Sequence, residues 1–326
     1  MMKNKTDLLR QAEYDIGLNK PFIKGQTITV DKCWHFTTDG NAIDRIFDDD
    51  EDFIAGMNRI FVVFQNYEIL ILAFCLMDTH IHFILYGEYD ECYKFIHEYI
   101  RRTSMFISNR HGENNKLSIV PIHHQVIDND KYLKNAICYT LKNPATAGLK
   151  FTYSDYPWSS GALYFRTKGY WCSPTWEDTD LHKCITSKVS KREKKSLLKI
   201  HTSLDISHLR IINNTIFPGE YVVYELVENI FKTHKAFSYF MNTTKEEDIE
   251  SKGGVISRLS IPIQEMRQHR NELCREVFSV SSIRMLNVEQ RLRLAKILWS
   301  KYRSSVKQIT RLCGLLPEET KGILLR

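Results

Sequence analysis

The chain has 326 residues, 43% of them hydrophobic, which is enough for a full core and for two domains. Charged residues at 26% and aromatics at 12% exclude wholesale disorder, and the longest apolar run, the nine residues from Ile69 to Met77, is too short to cross a bilayer. The net charge of +6 conceals a division: residues 1–182 carry 19 Lys+Arg against 24 Asp+Glu, whereas residues 183–326 carry 26 against 15. The second half, with its surplus of +11, fits a polyanionic partner such as nucleic acid, a solvated Lys-rich surface being the plainer alternative. Met1 to Asp7 lacks the apolar stretch of a signal peptide, and the eight cysteines include no Cys-x-x-Cys pair. Both point to a reducing, cytoplasmic setting with no membrane involvement.

Taken in order, Cys33 to Thr38 reads as a short strand ending in the turn Asp39-Gly40-Asn41. Asp49 to Tyr67 has Phe53, Met57, Ile60, Phe61 and Phe64 at helical spacing. Ile69 to Met77 reads as a buried strand. After a turn at Asp78-Thr79, His80 to Tyr86 alternates, with Ile81, Phe83 and Leu85 on one face and His80, His82 and Ile84 on the other. Cys92, Phe95, Ile96, Tyr99, Thr103, Phe106 and Ile107 define a long amphipathic helix, followed by a polar loop over 109–115. A further helix is expected from Asp130 to Asn143, stopping against Pro144. The aromatic stretch Tyr153 to Trp176 is expected to pack back on this domain.

A boundary is expected between Thr179 and Lys199, with a mainly helical, basic chain after it. Asn287-Val288-Glu289-Gln290 has capping-box form and opens a helix to Tyr302; Ser305-Val306-Lys307-Gln308 repeats it and opens a short helix to Cys313. Gly314 supplies a stop, and Pro317 fits the first position of a third helix. This is the layout of a helix-turn-helix. The expected division is therefore residues 1–182, 183–285 as a basic helical linking region, and 286–326.

His80-Ile81-His82 is the sharpest chemical feature. Residues two apart on a strand share a face, so both imidazoles can reach one divalent ion, although sheet-surface histidines give the same pattern. Tyr139 and Asn143, four apart on a helix, also share a face. A tyrosine hydroxyl can attack a phosphodiester where a cation stabilises the charge that develops, and an Asn oxygen suits Mg²⁺ or Mn²⁺. The competing reading has Tyr139 packing and Asn143 capping its helix.

Leu76 to Leu85, with its His-hydrophobic-His, resembles the HUH signature of single-tyrosine transposases, and Cys138 to Leu149 resembles the tyrosine helix of their REP-associated branch, where Tyr-x-x-x-Asn-Pro precedes a Gly-apolar step. Trp158-Ser159-Ser160 after Tyr156-Pro157, and the early blocks His35 to Asn41 and Ile46 to Asp50, fall in the same order; together the likeness spans about 40% of the chain. It implies an α+β, ferredoxin-like antiparallel sheet with helices on one side, ahead of the helical C-terminal region. It also implies Mg²⁺ or Mn²⁺ on His80, His82 and Asn143, and attack by Tyr139 on single-stranded, hairpin-associated DNA in a prokaryotic, nucleoid-associated setting. Relatives assemble this site either across a homodimer or within one chain.

Two departures stand out: the family's Pro-Asn before the first His is Asp78-Thr79 here, and its Arg-Gly-Asn turn is Asp39-Gly40-Asn41. Lys301, Arg303, Lys307, Arg311 and Lys321 are candidate DNA contacts of the C-terminal unit; Arg101 and Arg102 join them, with a solvated helix face as the competing reading. The adjacent His123-His124 reads as surface. The function expected is metal-dependent DNA nicking and strand transfer by a transposase-like enzyme. The alternative is a domesticated DNA-binding regulator that keeps the fold without cutting.

Overall fold

The computed structural model describes residues 5–21, 27–40, 45–112, 116–147, 149, 151–165, 192, 195–196, 199, 209–244, 249, 263–302 and 306–315. The chain divides into two compact units, Met1–Gly253 and Gly254–Arg326.

In the first unit, α1 (Lys5–Asp15) precedes β1 (Thr29–Thr38), α2 (Asp50–Phe64), β2 (Leu70–Leu76), β3 (Ile81–Tyr86), α3 (Tyr89–His111), β4 (Ile122–Asn129) and α4 (Asp130–Thr146). The four strands form an antiparallel sheet in the order β2-β3-β1-β4. Local chemistry sets the helix starts. The Asp49 carboxylate accepts from the Asp52 amide ahead of α2, whose first turn carries Asp50, Glu51 and Asp52; Asn129 does the same for α4 through the Tyr132 amide. Gly112, with φ 69°, closes α3 in the left-handed region.

β3 is buried along its whole length, so both faces of the sheet are covered, which corrects the expectation of helices on one side. Phe83 packs its ring on Phe95 and Tyr99 of α3, whereas His82 on the opposite face meets Tyr139 of α4. α3 extends to His111, three residues into the expected polar loop, and α4 runs on through Pro144 instead of stopping before it. Pro144 lies in the last turn, where its missing N–H removes a single helical bond, and the turn closes through Ala147 N–H donating to Asn143 O.

Two later segments complete the core. Residues 156–164 pack along edge strand β2, with Leu76 N donating to Trp158 O, Ser160 N to Phe74 O, and the Tyr156 and Tyr164 hydroxyls to the Leu76 and Leu72 carbonyls. A small hairpin, β5 (Ile211–Ile212) and β6 (Thr215–Ile216), turns on Asn213 and Asn214, both at positive φ, and leads to α5 (Tyr224–Phe231) and α6 (His234–Thr243). Asn58 of α2, fully buried, donates to Asn214 O at 2.8 Å and accepts from Ile216 N at 2.7 Å. Replacing Asn58 by Ala strands the buried Ile216 N–H and the half-buried Asn214 carbonyl; urea unfolding should show a loss of about 3 kcal/mol, and a loss below about 1 kcal/mol would mean the hairpin docks without the clamp.

In the second unit, α7 (Ile263–Phe278), α8 (Val288–Tyr302) and α9 (Val306–Cys313) share a core of Met266, Leu273, Cys274, Leu294, Leu298, Ile309 and Leu312. The capping box before α8 is formed in both directions, Asn287 N to Gln290 Oε1 at 3.0 Å and Gln290 N to Asn287 Oδ1 at 2.9 Å. Gly314 takes φ 61° after α9. The third helix expected from Pro317 lies outside the described residues. Among the described residues no helix is long and apolar enough to cross a membrane.

Candidate metal and tyrosine site

The β2–β3 turn is short: Leu76 pairs with Ile81, and Met77 N donates to His80 O at 2.8 Å. His80 therefore sits in the turn and not on β3, yet its imidazole meets that of His82 edge to face, with ring centroids 4.8 Å apart. The turn is held from outside by the Ile46 and Phe47 amides, which donate to Asp78 O, and Thr38 Oγ1 accepts from Ile81 N. Gly40 lies against the same histidine: a Cβ there would come within 3.0 Å of His80 Nδ1, so glycine lets the end of β1 pass the ring.

α4 brings the other two groups. The Tyr139 ring stands 5.6 Å from that of His82 and 6.0 Å from that of His35. Asn143 Nδ2 donates to Tyr139 O at 3.1 Å, which turns Oδ1 toward His80 Nε2 at 3.2 Å. His80, His82, Tyr139 and Asn143 are thus brought together within one chain.

His82 is 3% exposed, and its Nε2 is buried with no hydrogen-bond partner. Burial foremost, then the neighbouring His80 and His35 rings, push its pKa well below the usual histidine range; the nearby Asn143 amide opposes this. His35, also buried, is lowered to about 4. Neutral imidazole is the form that ligates a metal. An orphaned buried imidazole nitrogen beside a second imidazole and an amide oxygen is a donor set that suits a divalent cation.

Sequence reasoning assigned no role to His35 and treated Thr79 only as a departure. His35 Nε2 lies 3.0 Å from His82 Nδ1, and Thr79 Oγ1 lies 2.9 Å from His80 Nδ1. The first contact is across strands: Thr37 pairs with His82, which makes His35 its diagonal neighbour on the same face.

A second group of ligand-type side chains lies elsewhere. Asp48, Asp52 and His111 bring one ligand atom each within 4.8 Å of one another. Asp52 is fully buried and accepts from Arg110 Nη1 at 2.7 Å, His111 Nε2 at 2.9 Å and Asp48 N at 3.0 Å. With a guanidinium already on the Asp52 carboxylate, a cation there meets like charge.

Of the candidate DNA contacts, Arg101 and Arg102 lie on α3 and are both engaged by Glu98, at 2.7 Å and 2.6 Å. Arg101 in particular, then Arg102, holds the Glu98 carboxyl down at about 2 against burial, which acts upward. Its folded pKa is depressed, so this stabilisation is present above the unfolded value near 4.5 and is lost as pH falls through about 2. Glu98→Gln should cost about 1 kcal/mol at pH 7, discounted for solvent screening, and nothing below about pH 2; an equal cost at both pH values would assign the effect to packing. Lys301, Lys307 and Arg311 belong to α8 and α9, but their side chains lie outside the described residues, as do Arg303 and Lys321 entirely.

No family model matches the chain, and no curated protein matches it. Among solved structures it is similar to a REP-associated tyrosine transposase bound to a REP hairpin, at 17% identity and a TM-score of 0.33, over 48% of this chain and 92% of that one. A likeness at that score is distant and carries no weight for the site.

Proposed function

We propose that this protein nicks and rejoins single-stranded, hairpin-associated DNA, with Tyr139 as nucleophile and a divalent cation, Mg²⁺ or Mn²⁺, on His80, His82 and Asn143. The observation that carries the reading is the buried, unpartnered Nε2 of His82 within one cluster with His80, Asn143 and Tyr139. The element order β-α-β-β-α-β with the sheet order β2-β3-β1-β4 matches a ferredoxin-like arrangement and supports it.

In the reaction, Tyr139 Oη bonds to phosphorus and loses its proton to solvent, while the bond from phosphorus to the 3′ oxygen breaks. The 3′ oxygen takes a proton and leaves as a hydroxyl, and the 5′ end stays on the tyrosine as a phosphodiester. A later 3′-hydroxyl reverses these steps, so the bond energy is conserved and no nucleotide cofactor is needed. The bound cation would offset the negative charge gathering on the phosphoryl oxygens. With the four groups in one chain, the reading needs no partner subunit to complete the site.

The division of roles is part of the proposal: cutting residues within 1–182, in a first unit whose core is completed by residues 209–249, and a basic second unit from Gly254 whose residues 286–326 form a helix-turn-helix grip. In this grip Lys301, Arg303, Lys307, Arg311 and Lys321 contact phosphates, and Arg101 and Arg102 assist once released from Glu98.

The test is direct. The full chain, incubated with Mn²⁺ and a single-stranded hairpin oligonucleotide, should give a covalent protein–DNA adduct that survives denaturing electrophoresis and is lost with EDTA. Tight binding of the same oligonucleotide with no adduct would favour the non-cutting regulator instead.

A further inference from the structure

The cation reading leaves a requirement unmet by the ligands alone. A histidine offers Nε2 to a metal only when its remaining proton sits on Nδ1, and in each case here something stands against that Nδ1. His35 Nε2 is 3.0 Å from His82 Nδ1, and Thr79 Oγ1 is 2.9 Å from His80 Nδ1.

For His82 the two proton arrangements differ sharply. If His35 Nε2–H donates to His82 Nδ1, then His82 carries its proton on Nε2, a buried N–H with no acceptor at hydrogen-bond distance, the Asn143 amide being only near enough to raise the His82 pKa. If His82 Nδ1–H donates to His35 Nε2, Nε2 keeps a bare lone pair directed into the cluster. Buried N–H groups without acceptors are the rarer defect in proteins, which favours the second arrangement.

His80 has a different task. Its Nε2 faces Asn143 Oδ1 at 3.2 Å, and two acceptors do not sit so close without a proton or a cation between them. Before a cation binds, Nε2–H donates to Oδ1 and the Thr79 hydroxyl donates to Nδ1. Were His80 Nε2 and Asn143 Oδ1 to hold a cation, the His80 proton would belong on Nδ1 and Thr79 Oγ1 would accept it. A hydroxyl can turn from donor to acceptor in place.

We infer that His35 and Thr79 are positioning residues for the proposed cation: each holds the Nδ1 of one ligand histidine, His35 locking His82 in its ligating tautomer and Thr79 letting His80 switch into it. This rests on the proposed metal reading. Groups in this position commonly change metal affinity by about 10- to 100-fold when removed.

The experiment measures Mn²⁺ affinity by calorimetry on the full chain without DNA, with folding checked by circular dichroism, for wild type, Thr79→Val, Thr79→Ser, His35→Phe and His35→Gln. Thr79→Val and His35→Phe should each weaken binding about 10-fold or more, and Thr79→Ser and His35→Gln, which keep an acceptor, should recover most of it. Long-range ¹H–¹⁵N spectra of the metal-free wild type should find His82 protonated on Nδ1. A His82 proton on Nε2, or wild-type affinity in both Thr79→Val and a folded His35→Phe, overturns this inference while leaving the metal reading in place. Absence of Mn²⁺ binding by wild type overturns both. Where His35→Phe does not fold, Thr79→Val against Thr79→Ser and the tautomer of His82 decide.

Discussion

Replacing Tyr139 by Phe should reduce the covalent adduct to background, a drop of at least about 10³-fold, while Mn²⁺ binding stays within about twofold of wild type. The substitution removes the attacking oxygen and keeps the ring. That ring is partly buried against the core and lies edge-on to His82 and His35, so the packing that holds α4 on the sheet is retained. Asn143 is also undisturbed, because its amide is anchored on the Tyr139 backbone carbonyl and not on the phenol. Nucleophile and cation are thereby separable in one variant. Mass mapping of the wild-type adduct should find the nucleotide on the peptide containing Tyr139; an adduct of undiminished yield in the Phe variant, mapped to Tyr153 or Tyr156, would move the nucleophile off α4 and end the present assignment.

The parts of the site that were legible in the sequence are those held together by local geometry. Tyr139 and Asn143 are four apart on a helix, and His80 and His82 two apart in the chain, so spacing alone brings each pair to one side. What spacing could not supply is the register between strands. His35 lies 47 positions before His82, and only the pairing of Thr37 with His82 makes them neighbours. The place of His80 is hidden from the sequence for a similar reason: the strand begins one residue later, and a turn hydrogen bond, not strand alternation, sets its ring beside His82.

Pro144 does not stop its helix because it falls in the last turn, where the rule for helix interiors does not hold with the same force. The hairpin at Ile211–Ile216 had a usable signal in Asn213-Asn214 between β-branched residues, but strands of two residues are too short to leave any periodicity.

Removing residues 254–326 should weaken binding of single-stranded hairpin DNA by about 10- to 100-fold near 0.1 M salt and flatten its salt dependence, a slope reduced by on the order of 3 for about five phosphates released. The position of the cut matters. Val223 N donates to Ile71 O, and Tyr221, Val222 and Leu226 are buried in the same core as β2 and β3, so ending the chain at 182 would strip the sheet of part of its cover. At 253 the packing of the first unit is preserved. The charge follows this boundary more closely than the earlier one: residues 254–326 carry 14 Lys+Arg against 6 Asp+Glu, and residues 1–253 carry 31 against 33. The positive surplus of the whole chain thus lies in the last 73 residues, and a first unit that is slightly acidic has little long-range attraction for a phosphate backbone. Mn²⁺ binding should survive the truncation unchanged, because His80, His82 and Asn143 and the elements that carry them all fall within the first unit. Affinity and salt slope equal to those of the full chain would show that the basic surplus is a solvated surface, and that the DNA is held by the neighbourhood of the tyrosine itself.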